Sequence, residues 1–166
     1  MNLDTDREEP LMPRPGYPEG LRLARWLTDS IGNHQMRTAT LMLGFYQDGY
    51  WLRRFTQDSA LAGMIASTEP ETRHLGGGMS LVLSRTSPEP PASIDWQRVA
   101  DLLRTPELLA DEDAEPGTDA PHLAALEIAV SLAAGRPVDL CRAARVLPAS
   151  DWREILRHLE NAATYV

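Results

Sequence analysis

Thr40–Phe55 reads TLMLGFYQDGYWLRRF, and the fold class depends on how this stretch folds. The pair Asp48-Gly49 between two apolar runs is typical of a β-hairpin turn. A helical face is also present, because apolar side chains recur every three or four residues at Met36, Ala39, Leu43 and Tyr46. We predict helix, turn and helix here, and keep a short β-hairpin at 40–55 as the structural alternative.

The same spacing and the capping residues predict helices elsewhere in the chain. They cover 20–31, 58–66, 93–105, 121–134, 139–147 and 150–163. Ser93, Asp139 and Ser150 are the predicted N-caps of three of them, and Gly135-Arg136-Pro137 is a helix stop. The sequence therefore predicts a mainly α protein, a single small bundle of about six or seven helices.

The last predicted helix has the clearest amphipathic pattern in the chain. Its apolar stripe is Trp152, Ile155, Leu156, Leu159 and Ala163. Its opposite face carries Arg153, Glu154, Arg157 and Glu160, where ion pairs at i,i+3 are expected. This pattern predicts a helix with one face in the core and one in solvent.

Length and charge predict the domain organisation. The 166 residues can bury about 70 % of their extended surface, which suits one hydrophobic core. The net charge of −8 comes almost entirely from residues 1–20 and 105–121, where prolines are also frequent. We predict an extended, proline-rich acidic arm at 1–18, and a single helical domain at 19–166 with an acidic loop at 106–120.

The composition favours a cytosolic protein. No apolar run approaches the roughly 18–20 residues that cross a bilayer, and the N-terminus is polar and acidic, so no membrane association is expected. Cys141 is the single cysteine, which excludes an internal disulfide, and we predict that it is a small core residue. All sixteen basic residues are arginine, consistent with a GC-rich, bacterial genome.

Catalytic and metal-binding motifs are weak. His74 and the glycines at 76–78 resemble a phosphate- or oxyanion-binding loop, but no lysine is present to complete a Walker motif, and a flexible turn is expected. The remaining histidines, His34, His122 and His158, lack metal-ligand spacing, and Glu154–His158 at i,i+4 is expected to be a surface contact. We predict no metal, no cofactor and no enzymatic activity.

The tryptophans point to a partner. Trp26, Trp96 and Trp152 lie on apolar faces and are predicted to be in the core. Trp51 follows an aromatic residue and precedes two arginines, so we predict that it is exposed. The predicted partner-binding residues are Tyr50, Trp51, Arg53 and Arg54.

The functional prediction is a non-catalytic protein–protein interaction module, an adaptor or regulatory subunit of a bacterial-type cytosolic assembly. We do not expect the isolated chain to bind nucleic acid directly, because the predicted helical domain has no basic surface. The first alternative is a small helical subunit of a nucleic-acid-handling complex, or an anti-defence mimic of nucleic acid. It requires arginines from separate helices to converge, such as Arg142, Arg145, Arg153 and Arg157. The second alternative is a small enzyme around His74 and Gly76–Gly78.

Overall fold

The computed structural model describes residues 18–67, 92–105, 109 and 119–164. In those ranges the chain forms seven α-helices: α1 (Glu19–Thr28), α2 (His34–Phe45), α3 (Tyr50–Gln57), α4 (Trp96–Leu102), α5 (Asp119–Ala134), α6 (Leu140–Val146) and α7 (Ala149–Ala163). Two short strands, β1 (Ile65–Ser67) and β2 (Ala92–Ile94), pair antiparallel. The prediction of a mainly helical bundle is confirmed.

Residues 40–55 form a helix, a turn and a second helix, and not the alternative hairpin. A 3-10 helical turn over Tyr46–Asp48 separates α2 from α3. Three successive residues have positive φ: Gln47 at 44°, Asp48 at 51° and Gly49 at 76°. Glycine adopts this conformation easily, and aspartate tolerates it better than most residues. The Asp-Gly pair thus makes a sharp turn between helices.

The first turn of α1 packs directly on this turn because glycines meet at the contact. A Cβ atom added to Gly20 would lie 2.4 Å from backbone atoms of Asp48, Gly44 and Gly49. The Gly20 backbone N–H also donates to Asp48 Oδ1 at 3.0 Å. One of the amides left without a partner at the start of α1 is therefore satisfied by a residue 28 positions later in the sequence.

The small sheet replaces a predicted helix. β1 pairs with β2 so that Ile65 lies opposite Ile94. The helix predicted over 58–66 is wrong, because Asp58 Oδ1 accepts the N–H of Ala60 in a tight turn before the chain enters a 3-10 turn and β1. The flexible turn predicted at the glycines 76–78 lies outside the described residues.

Two helices have aspartate N-caps. Oδ1 of Asp95 and Oδ1 of Asp139 each accept the third backbone N–H of the following helix, at 3.1 Å and 2.9 Å. The Asp139 cap is confirmed. The Ser93 cap is wrong because Ser93 lies in β2, and the Ser150 cap is wrong because α7 begins at Ala149, directly after Pro148.

Helices α2 and α5 lie at the centre of the described core. α2 packs against α1, α5 and α7, and α5 packs also against α4 and α6. Around α5 most of the circumference is buried, through Ala124, Ala125, Leu126, Ile128, Ala129, Val130 and Ala133. A helix that is apolar on nearly all sides belongs in the interior. No described helix is long and apolar enough to cross a membrane.

Four side chains predicted to lie in the core have different outcomes. Trp96 is 3 % exposed and belongs to the core as predicted, whereas Trp26 is 40 % exposed, so its predicted core position is wrong. The predicted core position of Cys141 is also wrong, since α6 buries Ala143 and leaves the thiol on the surface. Trp152 is half-buried and packs against the edge of the core.

The described part of the chain is electrically neutral. It holds 12 acidic residues and 12 arginines, so the other 12 acidic residues and 4 arginines account for the whole net charge of −8. The arm predicted at 1–18 and the acidic loop predicted at 106–120 lie almost entirely outside the described residues. Asp119 is an exception, because it is the first residue of α5.

Candidate functional site

The predicted partner-binding residues lie against the first turns of α5. The ring of Tyr50 stacks on the ring of His122, with centroids 3.8 Å apart and planes 9° apart. Trp51 is 1 % exposed, and its indole N–H donates to the carbonyl oxygen of His122 at 2.7 Å. Tyr46 reaches the same histidine from the end of α2. We call Tyr46, Tyr50, Trp51 and His122 the aromatic cluster.

The exposure predicted for Trp51 is wrong. α3 is amphipathic, and Trp51 lies on its inner face with Leu52 and Phe55. Arg53 and Arg54 are half-buried beside this inner face, and their charge does not determine the direction of the indole. The neighbouring arginines were therefore a poor guide to the exposure of Trp51, whereas the helical period of the apolar residues indicates the inner face.

Arg53 and Arg54 make contacts within the chain. Arg53 donates to the backbone carbonyl of Asp48 and lies 3.3 Å from its carboxylate, so it braces the turn with positive φ. Arg54 donates to the carbonyl of Leu109 at 2.6 Å and lies 5.4 Å from the centre of the Trp51 ring. Partner binding by Tyr50, Trp51, Arg53 and Arg54 stays a prediction, and it now depends on the half-buried Tyr50 and Arg53.

Tyr46 links the aromatic cluster to α7. Its hydroxyl lies 3.1 Å from His122 Nδ1 and accepts a hydrogen bond from Gln47 Nε2 at 3.4 Å. The same amide donates to Asp151 Oδ2 at 3.2 Å. Burial raises the pKa of the Tyr46 phenol, and the nearby Asp151 carboxylate and Tyr50 raise it further. The phenol therefore stays protonated and neutral throughout the physiological range.

A cavity of about 240 Å³ lies between the end of α2 and the start of α7. Its lining combines apolar, aromatic and acidic side chains: Met42, Phe45, Tyr46, Ser150, Asp151, Glu154 and Ile155. We call it the acidic cavity, because both of its charged lining residues are carboxylates. Phe45 lies at its edge and is 44 % exposed, so the cavity has an aromatic border toward solvent.

His158 lies beside this cavity and is 9 % exposed. Its ring packs on Phe45 with centroids 4.9 Å apart, and Nε2 lies 3.7 Å from Glu154 Oε1. Nε2 has no hydrogen-bond partner among the described residues. The pKa of His158 is lowered, chiefly by burial and also by Arg157, while Glu154 acts in the opposite direction. The Glu154–His158 pair is therefore at the border of the core, and not the surface contact that was predicted.

The lowered pKa of His158 gives a pH dependence of stability. Below about 6.5, the ordinary histidine pKa, the unfolded chain binds a proton at this site more readily than the folded chain. The free energy of unfolding should therefore fall as the pH drops from about 6.5 toward the folded-state pKa. We expect urea titrations between pH 5 and 7 to show this fall in the native sequence, and His158→Gln to reduce it. An equal fall in both proteins would contradict the assignment, and His34→Gln is the matched control.

A second cavity, of about 290 Å³, lies between α4, α5 and α6, and three arginines line it. Arg104 and Arg136 share the carboxylate of Asp101, at 3.2 Å and 3.9 Å, and Arg142 pairs with Glu127. Of the arginines predicted to converge, only Arg142 is in this group. These arginines already have acidic partners, so the cavity has little uncompensated positive charge.

No protein-family model, curated protein or solved structure matches this chain. No group of three or more histidine, cysteine, aspartate or glutamate side chains in the described ranges could hold a metal ion. His74 and Gly76–Gly78 lie outside those ranges. The described surface and the two cavities above are the places where we look for a ligand or partner site.

The sequence indicated Tyr50 and Trp51, but it did not indicate the residues that they and the cavities bring together. Tyr46 and His122 are 76 positions apart, and Gln47 and Asp151 are 104 apart. No local period connects such pairs, because their contact depends on how α2, α5 and α7 pack. The one usable signal was Glu154–His158 at i,i+4, which places both side chains on one side of α7.

Proposed function

We propose that the protein is a non-catalytic protein–protein interaction module, an adaptor or regulatory subunit of a bacterial-type cytosolic assembly, and that it binds its partner through one side of α7. The supporting observation is that the apolar surface of α7 is wider than the part that the core covers. Ile155 is 2 % exposed and Ala162 is 5 % exposed. Leu156, on the same helix, is 37 % exposed.

The partly covered side of α7, next to its core face, has the spacing of a docking helix. Trp152, Leu156, Leu159 and Ala163 follow one another at i, i+4, i+7 and i+11, and we call them the α7 edge. Trp152 and Leu159 are half-buried, and Ala163 is exposed. Anchors at this spacing are typical of an amphipathic helix that lies in an apolar groove. The partner is therefore proposed to be a protein that offers such a groove.

Polar residues border the α7 edge. Arg153 and Glu160 are exposed beside it, and Arg157 pairs with Glu154 at 2.7 Å on the far side. An apolar centre with a polar rim is the usual anatomy of a protein interface. Burying the remaining surface of Leu156 would add about 25 cal/mol per Å² to binding. The α7 edge thus offers a partner the exposed side chain of Leu156 and the part-exposed side chains of Trp152 and Leu159.

Replacing Leu156 with glutamate tests the proposal. We expect Leu156→Glu to weaken binding of the partner at least about tenfold, because a charge would enter an apolar contact. The tagged protein is purified mildly from its native host, partners near one-to-one stoichiometry are identified, and the dissociation constant is then measured with purified components. Asn161→Glu, which introduces the same charge at an exposed position about 140° around the helix from Leu156, is the matched control. The melting temperature confirms folding of each variant.

Two results would contradict the proposal. The first is recovery of the native protein without any stoichiometric partner. The second is a partner that binds Leu156→Glu as tightly as it binds the native sequence. In the second case, weaker binding of the Tyr50→Ala and Arg53→Gln variants would place the interface at Tyr50 and Arg53 of α3 instead.

The nucleic-acid alternative has less support. Arg142 and Arg157 pair with Glu127 and Glu154, and Arg145 donates to the carbonyl of Cys141. The described residues carry no excess of positive charge. This alternative requires salt-dependent binding of short duplexes. The alternative of a small enzyme depends on residues 74 and 76–78, for which no described contact offers support.

A further inference from the structure

Two exposed charges beside the α7 edge have no ion-pair partner among the described residues. They are Arg153 and Glu160, which lie two helical turns apart and do not pair with each other. Arg157 lies one turn from Glu160, but it pairs with Glu154 at 2.7 Å. Opposite charges on the same flank of an apolar stripe are therefore left for a partner.

The α7 edge and these charges follow the heptad of a coiled coil. The apolar residues take alternating d and a positions and the charges take e positions: Trp152 (d), Arg153 (e), Leu156 (a), Leu159 (d), Glu160 (e) and Ala163 (a). The g positions are Ile155 and Ala162, which are apolar and buried in the core of this chain. Ion pairs between the helices of a coiled coil form at e and g positions. On α7 the e flank is the one that can form them.

This placement of charge fixes the orientation of a matching helix. When two identical helices pack antiparallel about a two-fold axis, the e flank of one helix faces the e flank of the other. Arg153 of each copy then lies opposite Glu160 of the other copy, so the ion pair forms twice. In a parallel pair, each e flank would face the apolar g residues, and both charges would stay unpaired.

The apolar anchors match in the same antiparallel arrangement. A register that places Leu156 beside Leu159 of the second copy also places Trp152 beside Ala163 of that copy, because both pairs are symmetric about the same point of the helix. The largest side chain of the edge thus meets the smallest. Leu156 is 37 % exposed, and Trp152 and Leu159 are half-buried. Each copy therefore offers the other both an anchor and a surface that receives an anchor.

We propose that the partner of the α7 edge is a second copy of this chain, bound through an antiparallel α7–α7 contact with Arg153–Glu160 ion pairs along one flank. The inference rests on the proposed function, because it names the occupant of the same surface. A contact through one helix of 15 residues is about 22 Å long, which places it at the lower end of specific interface sizes. The dimer is therefore weak and depends on protein concentration.

Sedimentation equilibrium of the full chain over a wide concentration range measures this dimer. We expect a reversible monomer–dimer equilibrium that Leu156→Glu weakens at least about tenfold. Arg153→Glu and Glu160→Arg should each weaken it about tenfold, because like charges then face each other twice. Combining both reversals in one chain should restore the native dissociation constant, since every pair is again of opposite charge. Arg37→Glu, the same reversal at an exposed position on α2, is the matched control and should leave the equilibrium unchanged.

An equimolar mixture of the two single-reversal chains gives an independent test. Each of these chains repels its own copy, whereas a mixed pair has opposite charges at both contacts. We expect the mixture to dimerise about as tightly as the native chain. The melting temperature of each variant checks that the substitution has not unfolded the protein.

Three results would overturn the second copy as the partner. They are a monomer at every concentration, a dimer that Leu156→Glu and the charge reversals leave unchanged, and a mixture or double reversal that does not regain dimerisation. A monomeric chain that binds a different protein through Leu156 would leave the proposed function in place. A chain with neither self-association nor another partner would contradict both proposals, since a second copy counts as the stoichiometric partner.

Discussion

Gly20→Ala should lower the free energy of unfolding by about 3 kcal/mol or more, which is at the upper end of overpacking effects. In a solvent-exposed helix the same substitution would stabilise by up to about 1 kcal/mol, because alanine has the higher helix propensity. At Gly20 the new Cβ would lie 2.4 Å from backbone atoms of three residues, and a backbone cannot rotate away as a side chain can. The steric cost therefore exceeds the gain in propensity.

The matched control is Gly32→Ala. A Cβ at Gly32 would meet no atom within 4 Å, so we expect a change of less than about 0.5 kcal/mol. Urea denaturation of both variants measures the difference. Equal stabilities of Gly20→Ala and the native sequence would mean that α1 does not approach the α2–α3 turn as described.

Trp51→Ala should destabilise the protein by about 3–5 kcal/mol, the range for removing a large buried aromatic side chain. The indole is 1 % exposed and donates to the His122 carbonyl. Trp51→Phe keeps much of the volume but leaves that carbonyl without this donor, so a smaller loss of about 1–3 kcal/mol is expected. Denaturant midpoints and slopes measure both values.

Trp26→Ala serves as the comparison for Trp51, because the Trp26 side chain is 40 % exposed. Its expected cost is about 1–2 kcal/mol, clearly below that of Trp51→Ala, because a part-exposed side chain loses less buried apolar area. If Trp51→Ala left the melting temperature unchanged, the indole would belong on the surface, and its predicted role in partner binding would regain its basis.

The elements that could be predicted from the sequence are those whose causes are local. The Asp139 cap, the stop near Gly135 and the amphipathic α7 all follow from residues within one or two turns, and all are present. The 40–55 stretch was harder, since Asp48-Gly49 suits a hairpin and a helix–helix turn equally. What resolves it is the contact with Gly20, which lies in another helix.

The candidate sites could be predicted much less well. The carboxylates of the acidic cavity lie on α7, but its aromatic wall comes from the end of α2, about 105 positions earlier in the sequence. The direction of the Trp51 side chain depends on α5, which supplies the His122 carbonyl. Neither of these contacts between distant helices produces a periodic pattern or a motif in a single sequence, because each depends on how the helices pack.

The hydrogen bond from Gly20 to Asp48 also affects the order in which the molecule can assemble. α1 has no capping side chain of its own, so its first turn gains this acceptor only after the chain has reversed direction between α2 and α3. Formation of that reversal and completion of α1 are thus coupled events. Because they involve only the residues from 19 to about 57, they are close in sequence, and short separations favour rapid folding. We therefore expect α1, α2 and α3 to assemble early, before α5 and α7 pack on α2.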